Sequence, residues 1–309
     1  MHARMTYKTG VARSVRPEPV RWFGLGPVTA LILVSNLVIF AGEVITARSG
    51  DAVVAVPLRV CLAFGANYAP LTLGLGQYDR LLAWSFVHGS ILHVGLNMWS
   101  LRQIGPFVER TVGSARYAIL YVLAALASGA TSLAWGLARS APVPSIGASG
   151  AICGVMGAAF VLGVRLEGWK AGGIARQIGF WLLMIVAYGA AMKNIDNAAH
   201  VGGVLAGAGI ATTWRRGVAY SSVATFVSVA LCVVLCVASG AATAYRDATD
   251  PFSSLGLNER VEVVQKAMSR GDCPLAWRAL VAAEAVAEGS PEIRGLRADV
   301  ESACPPGTH

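Results

Sequence analysis

Ser149 lies in "SIGASGAICG" (residues 145–154) and His200 in "NAAHVGGVLAG" (197–207), two polar residues in stretches apolar enough to enter a membrane. A serine hydroxyl within hydrogen-bond reach of an imidazole becomes a nucleophile near neutral pH. Each residue alone has a plainer reading. Serine commonly back-bonds to a helix carbonyl, and an intramembrane histidine can be a satisfied polar residue of a bundle. His93 and Asn97, in "HGSILHVGLNMW", are four apart and share one helix face. Their side-chain N–H groups, with the backbone N–H of Ser149, are the donor types that stabilise an oxyanion. The alternatives are interhelical hydrogen bonding for Asn97 and cavity lining for His93. His88 reads as a structural residue or a hydrogen bonder at the cavity rim.

These residues need elements that bring them to one depth. The chain has 309 residues, 55% hydrophobic and 14% charged, where a soluble domain is roughly a quarter charged. It is therefore an integral membrane protein. Apolar runs of the length a spanning helix needs fall near 27–46, 88–106, 115–137, 146–164, 177–193, 198–214 and 221–245. The second, fourth and sixth run in the same direction. His93 and Asn97, Ser149, and His200 each lie early in one of these three, and so at similar depth. Small residues assist the approach. Ser149, Cys153 and Gly157 form one stripe and His200, Gly203 and Gly207 another, the small-xxx-small pattern of close membrane packing. Gly147 and Gly150 keep the backbone beside Ser149 open to a substrate.

The net charge of +8 sets orientation. Arg102, Arg110, Arg116, Arg165, Lys170, Arg176, Arg215 and Arg216 gather in the loops after the second, fourth and sixth spans, and further basic residues precede the first. By the positive-inside pattern the N-terminus is cytoplasmic and the chain after residue 245 is outside. No nucleic-acid motif accompanies the charge, and nothing directly behind the basic N-terminus resembles a cleavable signal peptide. The organisation expected is an N-terminal tail over 1–26, a core over 27–216, a seventh span over 217–245 and a helical tail over 246–309. The loop over 47–87 is too apolar to be simply solvated, and Tyr68, Tyr78 and Trp84 suit a membrane interface. In the tail, Asn258, Asp272 and Ser290 read as N-caps, with Pro291 at a first helical position. Cys273 precedes the second tail helix and Cys304 follows the third. Antiparallel pairing of those helices brings the two thiols together, so a Cys273–Cys304 disulfide is expected, with Cys61 the alternative partner for either.

"HGSILHVGLNMWSLRQIGPFVE", "GASGAICGVMGA" and "AAHVGGVLAG", in this order and spacing, resemble the rhomboid intramembrane serine proteases over roughly residues 27–214. The resemblance implies an all-α six-helix core holding a Ser149–His200 dyad. It also implies an oxyanion hole of His93, Asn97 and the Ser149 amide, with His88 at the cavity rim. The implied activity is cleavage of single-pass transmembrane proteins near the outer membrane boundary, without a cofactor, in a bilayer such as the bacterial inner membrane. Glu109 matches a glutamate that ties the cytoplasmic end of the second span. Two departures stand out. Cys153 occupies a position four after the serine that is usually aromatic, and Asp79-Arg80 stands where a tryptophan-arginine pair is common. The first is expected to loosen the His200 ring and the second the first loop.

Other function classes fit less well. No histidine is followed by glutamate, so a zinc protease motif is absent and no metal is expected. No C-x-x-C pair suggests zinc or thiol redox chemistry. Asp196 is the only aspartate near a span, one short of an aspartyl protease. It lies four before His200, where it can cap the sixth span or act as a triad acid. No internal repeat supports a transporter. The remaining rival is a pseudoprotease that binds membrane proteins without cutting them.

Overall fold

The computed structural model describes residues 24–139, 143–170, 172–192, 195–214, 222–249, 251–252, 255–284, 287 and 290–305. Most of the N-terminal tail, Arg215, Arg216 and the terminal histidines lie outside the described residues.

The described chain is helical, with one isolated β-bridge between Asn67 and Ser145. Helix α1 (Pro27–Ala47) is followed by a long loop containing the short helices α2 (Leu58–Ala63) and α3 (Arg80–Ala83). The bundle continues with α4 (Ile91–Val112), α5 (Ser114–Ala138), α6 (Ser149–Glu167), α7 (Ile174–Ala191), α8 (Asn197–Thr213) and α9 (Ser222–Ala248). Helices α10 (Leu257–Ser269), α11 (Cys273–Glu284) and α12 (Pro291–Ala303) form the tail. The fold is an all-α polytopic membrane bundle. Helices α1, α5, α6, α7 and the Phe226–Arg246 part of α9 are long and apolar enough to cross a membrane. Two further runs read as spans fall short of that measure for physical reasons. Polar side chains from His93 to Glu109 break up α4, and α8 has 17 residues, about 25 Å at 1.5 Å per residue.

Helix α8 packs against α5 and α6, and almost no side chain intervenes between it and α6. A Cβ on Gly203 would lie 2.0 Å from the Gly150 carbonyl oxygen, and one on Gly207 would lie 1.8 Å from that of Gly154. The small-residue stripes do face each other, shifted by one residue on α6: Gly150 and Gly154, rather than Ser149 and Cys153, meet the α8 glycines. Gly157 meets the Val204 backbone instead, 2.3 Å from a would-be Cβ.

Three helix ends are tied by Glu109. Its carboxylate accepts from the backbone N–H groups of Val28 and Thr29, both at 2.9 Å, and from the Thr29 and Ser114 hydroxyls at 2.6 and 2.7 Å. These amides belong to the uncapped first turn of α1, so a remote side chain does the work of an N-cap.

The loop between α1 and α4 is held from inside the protein. Tyr68 and Trp84, expected at the membrane interface, are 0% and 1% exposed, while Tyr78 is exposed. The Trp84 indole N–H is shared between the Leu81 and Ala125 carbonyls, at 3.1 and 3.3 Å. Tyr68 packs edge-on against Trp277 of α11 and binds Arg297 of α12. Asp79 tightens this loop, contrary to expectation. Its carboxylate takes both terminal nitrogens of Arg246 at 2.7 Å, and its carbonyl accepts from Ser239. In the tail, Asp272 and Ser290 cap their helices as the sequence suggests. Asn258 does not, because α10 begins earlier: Gly256 precedes it and Glu259 reaches back to the Gly256 N–H at 2.8 Å. Cys273 and Cys304 are joined, with Cα atoms 5.3 Å apart, and Cys61 is not part of that disulfide.

Candidate active site

Ser149 is the first residue of α6, and no side chain caps that helix. The first-turn N–H groups therefore remain without intrahelical partners and face the segment before the helix. An uncapped N-terminus also carries partial positive charge, favourable to an anion forming beside Ser149. Gly147 has φ of 116°, in the region an L side chain rarely adopts. It also has no room for one, since a Cβ there would lie 2.6 Å from His93 Nε2 and 3.7 Å from Asn97 Nδ2. The same contacts mark where the donors converge: both side chains from α4 reach the turn that presents Ser149.

His200, from α8, meets Ser149 directly, its Nε2 lying 2.8 Å from Oγ. The ring is buried, and Nδ1 has no hydrogen-bond partner among the described residues. With the proton on Nδ1, Nε2 is free to accept the serine proton. Asp196 is not a third member. Its Oδ1 caps α8 through the Ala199 N–H at 2.9 Å, and its Oδ2 accepts from the Ser132 and Ser145 hydroxyls. It serves as a cap that also pins the segment leading to Ser149. Cys153, one turn further along α6, is buried.

The other histidines are set by their neighbours. His93 Nδ1 accepts a long bond from the Gly89 N–H, 3.5 Å, which leaves the proton on Nε2, directed at the site. Asn97 is 6% exposed, and no hydrogen bond joins its amide to another described residue, which disfavours the interhelical role. His88 is not at a rim. It is fully buried, stacks edge-on against His93 with ring centroids 5.0 Å apart, and accepts from the Ala148 N–H at 3.4 Å. Its Nδ1 lies 3.1 Å from the Phe86 carbonyl, so this nitrogen carries the proton. It supports the turn before Ser149 from beneath.

Some supporting residues escaped the sequence reading. Glu43, a carboxylate in the first apolar stretch, is fully buried and accepts from the His88 N–H, 3.2 Å to each oxygen. A charged type inside a span was the available signal. Asn67 pairs its backbone with Ser145, at 2.9 and 2.8 Å, and the Trp84 carbonyl accepts from Gly147 at 3.0 Å. These are backbone contacts, and residue types do not announce them.

Residues 75–217 match the family model described as the rhomboid domain. This segment is a rhomboid domain. The chain is 36% identical over 150 residues to the rhomboid protease GluP of Bacillus subtilis, a match spanning 47% of this chain and 28% of that protein. It is 30% identical over 193 residues to the rhomboid protease GlpG of an Enterobacter species, covering 60% and 62% of the two chains. RHOMBOID-like protein 5 of Arabidopsis thaliana is 29% identical over 215 residues, 62% and 68% of the chains. The chain thus spans less than a third of the Bacillus protein's length. The matched rhomboid segment contains every residue from His88 to His200 discussed above, whereas α1, α9 and the tail helices lie outside it.

Proposed function

We propose that this chain is an intramembrane serine endopeptidase that cleaves transmembrane segments by a Ser149–His200 dyad. The observation that carries the reading is the 2.8 Å Nε2–Oγ contact at an uncapped helix N-terminus. Ser149 Oγ attacks the scissile carbonyl carbon as its proton passes to His200 Nε2. The oxyanion forms opposite the Ser149 amide, His93 Nε2–H and Asn97 Nδ2, where donors fixed in advance stabilise developing charge. Collapse breaks the C–N bond, and the Nε2 proton goes to the leaving amine. Water, deprotonated by the same nitrogen, then hydrolyses the acyl-serine ester and restores the hydroxyl.

Single-pass membrane proteins with small residues near the membrane boundary are the substrate class proposed. The basic loops support a cytoplasmic N-terminus, with residues 246–309 on the opposite face of a bacterial inner membrane. Ser149→Ala and His200→Ala should each abolish cleavage of a generic single-pass substrate in proteoliposomes. The wild-type protein should form a Ser149 adduct with a fluorophosphonate. A wild-type protein that binds such substrates yet neither cuts them nor reacts with the probe is the non-cleaving binder instead. Cleavage that survives in Ser149→Ala excludes the serine mechanism.

A further inference from the structure

The face where the tail meets the long loop carries an unusual concentration of positive charge. A cleft of about 680 Å³ opens between α2, α3, the end of α9 and the tail helices α10 and α11, and Arg59, Arg80, Arg246, Arg260 and Arg278 all line it. Among the described residues no acidic side chain lines it, and only Arg246 of the five is paired with a carboxylate. Arg80 and Arg260 are buried and fixed by main-chain carbonyls, Arg80 on Leu62 and Ala66, Arg260 on Leu255 and Ala282. They contribute standing charge. Burial, and then the neighbouring Arg246, push the Arg80 guanidinium down to about 9, with Asp79 pulling the other way. Arg59 and Arg278 are exposed, whereas Arg246 gives both terminal nitrogens to Asp79 and its Nε is buried.

A second cavity, about 570 Å³, adjoins the cleft at Ala63 and runs along α9 between that helix and α1. Its walls are mostly apolar, with Ile39, Phe64, Leu82, Phe86 and Val237 among them and Gly240 open at the α9 side. It follows the membrane-crossing part of α9, and the arginine cleft begins where that helix ends. A charged cleft adjoining a mostly apolar groove along α9 matches a molecule with an anionic head and a hydrocarbon tail. Guanidinium groups suit phosphate by geometry and by weak hydration.

We propose that cleft and groove together bind one anionic phospholipid from the leaflet on the tail side. Its phosphate sits between Arg59 and Arg278, with Arg80, Arg246 and Arg260 as standing charge behind them, and an acyl chain lies along α9 past Gly240. The site is separate from Ser149 and holds whether or not the chain is a protease.

Delipidated full-length protein in detergent, titrated while its melting temperature is followed, tests this. The probes are phosphatidylglycerol, phosphatidylcholine with the same chains, and inorganic phosphate. Phosphatidylglycerol should raise the melting temperature at concentrations where the other two do not. Two basic residues near a lipid phosphate are worth about a 10- to 30-fold change in half-saturation, so Arg59→Gln with Arg278→Gln should weaken it by that factor. Gly240→Leu, which fills the groove without touching an arginine, should weaken it comparably. Gly240→Ala is its folding control, since the added Cβ meets nothing within 4 Å. Equal response to phosphatidylcholine overturns the headgroup assignment. A full response to inorganic phosphate, or an unchanged phosphatidylglycerol titration in correctly folded Gly240→Leu, overturns the lipid in favour of a soluble anion. An unchanged titration in the double arginine variant overturns the site itself.

Discussion

Replacing Gly203 by alanine puts a Cβ 2.0 Å from the Gly150 carbonyl oxygen, where ordinary contact begins at 3.4 Å. Backbone lies on both sides, so neither neighbour can swing away, and α6 and α8 must part by about 1.4 Å at that level. Gly150 follows Ser149 directly and Gly203 is one turn below His200, so the displacement reaches the dyad with little loss. The 2.8 Å Nε2–Oγ contact then opens to about 4 Å, beyond hydrogen-bond range. Misplacement of about 1 Å at a reacting pair costs on the order of 100-fold in rate, and the overpacking itself about 1–3 kcal/mol of stability. The measurement is the rate of fluorophosphonate adduct formation at Ser149, with helicity followed by circular dichroism. Gly209→Ala on the same helix is the matched control, because Gly209 is exposed and its added Cβ meets nothing within 4 Å. It should react at the wild-type rate. A folded Gly203→Ala protein that reacts within a factor of two of wild type would refute the claim that glycine–carbonyl contact sets the dyad distance.

Asn97→Ala should lower turnover by roughly 10²–10³ with little change in substrate binding; an effect confined to KM or to melting temperature argues for a packing role. Glu109→Gln keeps one acceptor oxygen where the carboxylate served four donors, and should lower stability by about 2–4 kcal/mol, read as a fall in melting temperature. An unchanged melting temperature means the three helix ends are held by something else. Cys273→Ser opens a loop with a sequence separation of 31, worth about 3–4 kcal/mol by chain entropy. The tail helices should then be digested faster by protease, and unaltered digestion contradicts a stabilising disulfide.

The sequence made the helical bundle legible because spacing carries the information. Apolar runs mark the helices, and four-residue intervals place His93 with Asn97 and His200 with Gly203 on common faces. Asp272 and Ser290 were readable as caps because their side chains bond locally. Contacts that close through the backbone were not readable. The Asn67–Ser145 bridge and the Gly147–Trp84 bond depend on no side-chain type. The one-residue shift of the α6 stripe came from packing on carbonyls, which every residue possesses. Asp79 was misjudged because its partner, Arg246, lies 167 positions away. Tyr68 and Trp84 looked interfacial by type, yet the tail and α5 supply the polar partners that water at an interface would otherwise give.

Glu109 bears on the order in which the chain can assemble. The first-turn amides of α1 find their acceptor 80 residues downstream. At about 5–20 residues per second of synthesis, that acceptor arrives some 4–16 seconds after α1 itself. During this interval α1 holds unsatisfied donors at its leading end, best kept at the wet membrane surface rather than in hydrocarbon. Helix α1 is therefore fixed in place only once later helices have been made. Its final docking waits for α4 to deliver the carboxylate and for Ser114, at the start of α5, to complete the knot.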